Sequence, residues 1–279
     1  MLLLTWNLGR KESAFRLAID HLAQVVNEEV FAVFQELPSI ADSTAKARKL
    51  AISLSNSRLT CLGVVSSQRA HGRLGLFSST TISATAPVLS DANNRMAMTT
   101  VRSTSWSGLR VVGCHAVDRR NVATEYARGV WAALSRLAIE AFWKPNQPLV
   151  VLGDFNADPY HPEVSARRGM FAVRDRAEAA RDWESALVAG KMRPLYNPMW
   201  HLLPESSTRP GGTYVLNSED QGIRWRLCDQ ILVSRDLIPK IGVPEILSQM
   251  SSTSLLTKKG LPATRKFSDH LPVQLRITM

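Results

Sequence analysis

Carboxylate, amide and imidazole side chains stand where several apolar runs of this sequence end. The positions are Asn7, Glu36, His115, Asp154, Asn156, Asp229, Asp269 and His270. Carboxylate and amide oxygens are hard ligands that suit Mg²⁺ or Mn²⁺, and two imidazoles can hold and protonate a phosphate group. Hydrolysis of a phosphodiester requires this inventory, because a cation neutralises the phosphate, a base activates water and donors stabilise the transition state.

Each of these residues also has an ordinary structural interpretation. The alternatives are a turn cap for Asn7, a solvated turn for Glu36, an Asx-rich turn for residues 154–159, core packing for His115 and a strand-edge charge for Asp229. The adjacent Ser, Asp and His at 268–270 cannot form a hydrolytic triad, because triad members must converge from separate places. The order and spacing of the whole set therefore carry more information than any single residue.

The apolar pattern predicts alternating strands and helices at the beginning of the chain. Residues 2–6 and 30–35 are apolar runs typical of buried strands, whereas 13–26 and 41–55 carry apolar residues at helical spacing. Short β-like runs separated by Gly, Asn and Ser follow at 59–65, 74–77, 81–88, 96–102 and 109–114. The order is therefore strand, helix, strand, helix and then an antiparallel meander.

The second half of the chain predicts further helices and strands. A helix over 121–142 ends before two prolines, and a strongly apolar strand follows at 149–152. The remaining predictions are a helix over 177–189, an irregular loop over 194–212 and strands at 214–215, 227–233 and 273–278. Because no repeat or clean linker interrupts the pattern, we expect one domain over 1–279, with two stacked sheets and helices outside.

The order of the polar segments resembles the endonuclease/exonuclease/phosphatase superfamily, which includes deoxyribonuclease I. The resemblance runs from residue 5 to residue 273. Its segments are Trp6-Asn7, Gln35-Glu36, residues 72–78, His115, Gly153-Asp154-Phe155-Asn156, residues 229–232 and Ser268-Asp269-His270. The resemblance implies an α/β (α+β) fold of the deoxyribonuclease I type. In that four-layer α/β/β/α sandwich, helices flank two mixed or antiparallel sheets.

The resemblance also implies how the metal and the attacking water are held. Glu36 would be the principal ligand of Mg²⁺ or Mn²⁺, with Asn7 and Asp269 beside it. Asp154 would orient or deprotonate the water, and Asn156 would hydrogen-bond the scissile phosphate and help to place Asp154.

Two histidines would contact the phosphate if the resemblance holds. His270 would stabilise the developing charge, with Asp229 fixing its tautomer. His115 corresponds to a second histidine of the deoxyribonuclease I and sphingomyelinase branches, which apurinic endonucleases usually replace by tyrosine. The stretch from Arg69 to Arg73 offers no counterpart of the glutamate that partners this histidine in deoxyribonuclease I.

The charge of the chain bears on the substrate. Lys and Arg number 34 against 24 Asp and Glu, which gives a net charge of +10. A positive field attracts polyanions, so the prediction is a nuclease with DNA preferred to RNA; the alternative is hydrolysis of phosphoinositide or phospholipid head groups. All candidate catalytic residues are present, which disfavours an inactive binding module. The candidate substrate-binding residues are Arg95, Arg119, Arg120 and Lys266.

Two further features bear on side-chain roles and location. Trp106, Trp200, Tyr214 and Trp225 lie near predicted loops and either stack on bases or pack in the core. The cysteines at 61, 114 and 228 form no CxxC pair, the apolar start at 1–4 is too short for a signal peptide, and no apolar run reaches membrane-spanning length. We therefore expect a cytoplasmic protein without stable membrane insertion.

Overall fold

A computed structural model gives the helices and strands of the chain. It describes residues 1–25, 27–66, 72–85, 88–91, 94–118, 125–144, 147–181, 183–184, 191–203, 210–218 and 222–278. The helices are α1 Glu12–Ala23, α2 Thr44–Leu54, α3 Glu125–Phe142, α4 Pro162–Ser165 and α5 Arg176–Ala179. The strands are β1 Leu2–Asn7, β2 Val30–Gln35, β3 Leu59–Ser66, β4 Arg73–Ser79, β5 Ser83–Ala84, β6 Leu89–Ser90, β7 Met96–Arg102, β8 Leu109–His115, β9 Leu149–Asp154, β10 Ala172–Val173, β11 Trp183–Glu184, β12 Lys191–Met192, β13 Leu195–Tyr196, β14 Tyr214–Ser218, β15 Gly222–Arg226, β16 Asp229–Val233, β17 Glu245–Ile246, β18 Gln249–Met250, β19 Thr253–Ser254 and β20 Val273–Arg276.

The first large sheet is built around the beginning and the end of the chain. Its strand order is β17-β20-β1-β2-β4-β3, with β1 parallel to β2 and antiparallel to β20. Every residue of β1 and β2 is buried. Strands covered on both faces read as continuous apolar runs, which is why the sequence identified them directly.

The second large sheet brings three polar side chains together. Its path is β10-β13-β16-β9-β8-β7-β5, with β6 beside β7. β8 and β9 are parallel, and β9 is antiparallel to β16. This register pairs His115 with Asp154, and Asp154 with Asp229. The three side chains therefore belong to neighbouring strands at one end of the sheet.

The two sheets pack face to face, and the pleat decides which side chains lie between them. β1 and β2 contact β9, and β4 contacts β8. On β2, Val33 faces the second sheet, where a Cβ added to Gly113 would lie 2.8 Å from its Cγ1. The next residue, Phe34, faces α1, and its ring centroid lies 6.3 Å from that of Phe15. Alternate residues of one strand thus fill two different apolar layers.

A second apolar cluster lies under α3 on the outer face of the second sheet. Trp131, Ala132 and Ile139 of α3 pack there with strand residues such as Val112 and Val151. With α1 and α2 over the first sheet and α3 over the second, the layers are helix, sheet, sheet and helix. The predicted four-layer sandwich is confirmed. Within the described residues, no helix combines the length and the apolar character needed to cross a bilayer.

The structure corrects some predicted elements. The helix over 177–189 is wrong in the described part, because α5 is a single turn and Trp183 then pairs with Met192 in a small ribbon. The pairing of the two strands overrides the local helix propensity, and a local sequence pattern does not reveal such a pairing. In the described part of the run at 81–88 the only strand is β5, and the predicted loop over 194–212 contains β13 and a 3₁₀ segment, Pro198–Leu202. Residues 119–124, 185–190 and 204–209 lie outside the described residues.

Candidate active site

A cleft of about 410 Å³ opens at the rim where the two sheets bring their strand ends together. Seven of the eight predicted catalytic and metal-binding residues line it: Asn7, Glu36, His115, Asp154, Asn156, Asp269 and His270. The remaining one, Asp229, is fully buried and contacts His270. Side chains far apart in the sequence, from position 7 to position 270, therefore converge in one place.

Glu36 reaches the cleft through an unusual backbone conformation directly after β2. Its φ is 49°, in the left-handed region that side chains other than Gly seldom adopt. Gly72, at φ 89°, packs against it, since a Cβ there would lie 2.9 Å from Glu36 Cγ. Arg10 Nε lies 3.7 Å from Glu36 Oε2. Burial raises the pKa of Glu36 above its ordinary value, and the nearby Arg10 only partly opposes this.

Asp154 ends β9 and is 1% exposed. Asn7 Nδ2 donates to its Oδ2 at 2.9 Å, and the backbone N–H of Asn156 donates to its Oδ1 at 2.8 Å. Both donors are neutral, so neither removes the cost of burying a negative charge. Burial accordingly raises the pKa of Asp154, with His270 opposing and Asp229 reinforcing the change.

The turn that carries Asp154 depends on the glycine before it. Gly153 has a φ of 155°, and a Cβ at this position would lie 1.9 Å from the carbonyl oxygen of Cys114. Only glycine permits the two strands to approach so closely. The side chain of Asn156 then folds back, and its Nδ2 donates to the carbonyl of Ala116 at 3.1 Å. The loop after β9 is thus fixed against the end of β8.

His270 and Asp229 form a buried imidazole–carboxylate dyad. The distance between His270 Nδ1 and Asp229 Oδ2 is 2.7 Å, and Nε2 of the same ring lies 3.9 Å from Asp154 Oδ2. Burial alone would lower the pKa of His270, but the charges of Asp229 and Asp154 outweigh it and raise the pKa to about 10. The ring is therefore a cation at neutral pH, with Nε2 directed towards the cleft side of the dyad.

The segment just before the last strand is held by hydrogen bonds from β1 and from within the segment itself. Trp6 Nε1 donates to the carbonyl of His270 at 2.8 Å. The hydroxyl of Ser268 accepts from the backbone N–H of His270 at 3.1 Å and donates to Asp269 Oδ1 at 3.4 Å. Asp269 is half-buried and lines the cleft. These contacts present Asp269 and His270 to the same space.

His115 lines the cleft at the end of β8. Its Nε2 lies 3.8 Å from Glu36 Oε1 and 3.9 Å from Asp154 Oδ2. The sequence offered no acidic residue near 69–73 as its counterpart. The structure instead places two carboxylates of the site itself around this ring.

The predicted substrate-binding residues that the structure describes differ in their exposure and in their contacts. Arg95 is only 8% exposed, and its Nη1 donates to the carbonyls of His115 and Ala116 at 3.2 and 3.1 Å. This geometry holds the end of β8 in place. Lys266 is exposed, with its Nζ 5.1 Å from the ring centroid of Phe267, a residue of the cleft wall. Arg119 and Arg120 lie outside the described residues.

Other residues line the cleft that the sequence reasoning did not select. They are Gly9, Lys11, Asp118, Thr264, Phe267 and Ser268. Lys11 and Asp118 each follow a site residue by three or four positions, so closeness in sequence to Asn7 and His115 was the available signal. Thr264 and Phe267 carried no such signal, because only the path of the loop before β20 brings them to the cleft.

Two groups of side chains offer ligand atoms for a divalent cation. In one group, single ligand atoms of Asp154, Asp229 and His270 lie within 4.8 Å of one another. In that group Nδ1 of His270 is already hydrogen-bonded to Asp229, which is itself fully buried. The oxygen atoms of Glu36 and Asp269 face the cleft instead. The donor chemistry therefore favours the Glu36 side for a hard dication.

Solved structures with the same fold come from several organisms. The chain superposes on a 3′ phosphatase, NExo, from Neisseria with a TM-score of 0.60 at 16% identity, covering 100% of both chains. For an AP endonuclease from Archaeoglobus fulgidus the TM-score is 0.59 at 12% identity, again over 100% of both chains. Truncated TDP2 of Caenorhabditis elegans gives 0.57 at 14%, covering 100% of this chain and 97% of that one. These likenesses establish a shared fold.

The sequence itself matches the profile of the Endonuclease/Exonuclease/phosphatase family over residues 4–270. The chain belongs to this family, whose members hydrolyse phosphoester bonds. A search of curated protein sequences found no match.

Proposed function

We propose that the protein is a divalent-metal-dependent phosphodiesterase that cleaves nucleic acid, with DNA preferred to RNA. The observation that carries the proposal is the convergence of Glu36, Asp154 and the His270–Asp229 dyad in one cleft. Solved structures with the same fold include an AP endonuclease and a 3′ phosphatase bound to a product DNA hairpin. The net charge of +10 favours a polyanionic substrate.

The donor set fits Mg²⁺ or Mn²⁺. Glu36 and Asp269 supply carboxylate oxygens at the cleft, and the amide of Asn7 adds a neutral oxygen. Burial raises the pKa of both Glu36 and Asp154, so their negative charges are incompletely compensated by neighbouring protein groups. A cation bound there would neutralise the scissile phosphate and the charge that develops on it.

Asp154 is the residue we assign to the attacking water. Its two oxygens are fixed by Asn7 and Asn156, so the carboxylate keeps one orientation while its burial makes it more basic than an exposed aspartate. Asn156 remains beside it at the cleft and would also contact the phosphate.

The two histidines would contact the phosphate from different sides. His270 is a fixed imidazolium, because Asp229 holds Nδ1 and leaves Nε2 for an anionic oxygen. His115 lies between Glu36 and Asp154 and is placed to donate a second hydrogen bond. Lys11 and Lys266 lie at or beside the cleft wall, where a flanking phosphate of a polymer would pass. We keep Arg119 and Arg120 as further proposed phosphate contacts.

A metal-dependent assay tests the proposal. The substrates are supercoiled plasmid, single-stranded DNA, RNA, a 3′-phosphorylated DNA hairpin and a phosphoinositide panel, each with Mg²⁺, Mn²⁺ or EDTA. We expect cleavage of DNA that EDTA abolishes and that weakens as salt rises. His270→Ala should lower turnover by roughly 10²–10³-fold, because it removes a preorganised donor to the phosphate.

The control is Asp236→Asn, which changes an exposed carboxylate of the 3₁₀ segment Arg235–Lys240. It should retain the activity of the unchanged protein. Hydrolysis of the phosphoinositides without cleavage of any nucleic acid would replace the nuclease assignment by the head-group alternative. Equal activity in EDTA would reject the metal.

A further inference from the structure

The ribbon β14–β15 lies outside both large sheets, and its first residues contact the dyad. Thr213 Oγ1 accepts hydrogen bonds from the backbone N–H groups of Cys228 and Asp229, each at 3.1 Å. The carbonyl of Thr213 accepts from the N–H of Leu271 at 2.7 Å. Thr213, which is fully buried, therefore ties the strand that carries Asp229 to the segment that carries His270.

Tyr214 contacts the catalytic imidazole itself. Its ring centroid lies 4.8 Å from that of His270, with 37° between the two ring planes. The backbones of the same two residues form an isolated antiparallel β-bridge. The tyrosine thus fixes both the main chain and one face of the ring of His270.

A face contact matters because a single hydrogen bond does not determine the position of a ring. The bond from His270 Nδ1 to Asp229 holds one nitrogen, yet the ring can still pivot about that contact. Such a pivot moves Nε2, the atom that must meet the phosphate. A displacement of about 1 Å at a reacting group can lower a rate by about 10²-fold.

We propose that Tyr214 is a positioning residue, whose ring packs against the His270 imidazole and keeps Nε2 directed at the scissile phosphate. We assign this role to the flat ring of Tyr214, which makes the contact with the imidazole. The inference rests on the phosphodiesterase function proposed above and adds a residue that supports the dyad without touching the substrate.

The test compares two substitutions at this position. Tyr214→Phe keeps the ring, whereas Tyr214→Val removes it and retains a residue that strands favour. The probe is bis-p-nitrophenyl phosphate with Mn²⁺, a small phosphodiester that makes no contact with distant basic residues. We expect Phe to retain kcat within about twofold and Val to lower kcat at least about tenfold, with KM within about twofold. A kcat for Val within twofold of the unchanged protein overturns the proposal.

The chain contains a matched control. Tyr160 stacks on His161 with ring centroids 4.9 Å apart and 37° between the planes, outside the cleft lining. Tyr160→Leu removes a tyrosine–histidine stack of the same geometry and should leave kcat unchanged. If Tyr160→Leu lowers kcat as much as Tyr214→Val, the effect is a general loss of rigidity and the proposal fails.

A spectroscopic measurement separates this inference from the function on which it rests. In an NMR spectrum of the histidine rings, His270 Cε1–H should show an upfield ring-current shift that Tyr214→Phe keeps and Tyr214→Val loses. His270→Ala assigns the resonance, and thermal unfolding checks that each variant is folded. An unshifted resonance in the unchanged protein overturns the inference. If the unchanged protein shows the upfield shift but hydrolyses no phosphodiester, the proposed function is wrong. The contact between the two rings would then stand, but Tyr214 would have no role in catalysis.

Discussion

Asp154 ends β9 and Asp158 lies in the loop that follows it, and both side chains are almost entirely buried, at 1% and 3% exposed. Their chemistry is nevertheless opposite. Burial raises the pKa of Asp154, whereas the pKa of Asp158 falls to about 2 although burial alone would raise it.

The partners of Asp158 explain the difference. His161 lies 3.5 Å away, the N–H of Leu227 donates to Oδ1 at 2.7 Å, and the guanidinium of Arg226 pairs with Oδ2. Together these donors and charges more than offset the burial that would raise the pKa of Asp158. Asp154 receives its two hydrogen bonds from neutral amides, and the nearby charge of Asp229 counteracts that of His270, whose Nε2 lies 3.9 Å from Asp154 Oδ2. Burial alone therefore does not assign a role to an acidic residue; the charge of its donors does.

The two aspartates also differ in their expected roles, since one stabilises the fold and the other is available for catalysis. The carboxylate of Asp158 is fully occupied by cationic and N–H donors of the protein. It therefore has a structural role and links the loop after β9 to β15. A carboxylate whose charge is left incompletely compensated is available to a cation or a water molecule. The same substitution at both positions is the most direct way to test this division.

Asp154→Asn should give the largest effect on activity. We expect kcat to fall by roughly 10³–10⁴-fold, because the amide cannot orient and deprotonate water as the carboxylate does. The Tm should change by only a few degrees, since the amide fills the same volume and removes a buried charge. Turnover numbers and thermal unfolding measure the two quantities. A variant that keeps full activity would reject the assigned role.

Asp158→Asn should give the reverse pattern. Replacing one partner of a buried ion pair leaves Arg226 without its carboxylate, so we expect a loss of about 3 kcal/mol in the free energy of unfolding. Activity at 25 °C should stay within about tenfold, because no atom of Asp158 lines the cleft. Urea unfolding and the same assay provide the test. An inactive variant with an unchanged Tm would show that our division of the two residues is wrong.

Stability should also depend on Asp158 as the pH falls. Its folded pKa of about 2 lies below the ordinary 3.8, so the carboxylate stabilises the fold above about pH 4 and this contribution is lost towards pH 2. The total is about 2 kcal/mol. Between pH 6 and pH 3, the gap in unfolding free energy between the unchanged protein and Asp158→Asn should narrow by about 1 kcal/mol. A gap that stays constant or widens over this range contradicts the pKa assignment.

The contrast also shows what the sequence allowed us to predict. Apolar runs predicted β1, β2, β8 and β9, and the polar residues that end them, such as His115 and Asp154, were selected because strands of one sheet can bring their ends together at one rim. The order of these elements and the family resemblance together predicted the four-layer fold, which is confirmed. The roles of these residues in catalysis stay predictions.

The link between Asp158 and Arg226 was not predicted. Its two residues are 68 positions apart, and no periodic pattern relates them. The positive φ of Glu36 and the burial of Arg95 were missed for the same reason, because each depends on a neighbour supplied by a distant segment. Helix propensity misled the prediction over 177–189, because in the described part of that range Trp183 and Glu184 pair with a neighbouring strand. Local patterns thus locate the ends of strands, but they do not identify the distant partners that determine whether a buried side chain is charged.

The smallest predicted effect concerns the hydroxyl at the edge of the Asp158 network. Tyr160 donates to Asp158 Oδ2 at 3.2 Å, but the residue is 54% exposed, so water can replace this hydrogen bond. Tyr160→Phe should therefore cost only about 0.5–1 kcal/mol of unfolding free energy and leave kcat unchanged. The ring and its stack on His161 remain in this variant. A loss as large as that of Asp158→Asn would mean that the hydroxyl, and not Arg226, holds the buried carboxylate in its charged form.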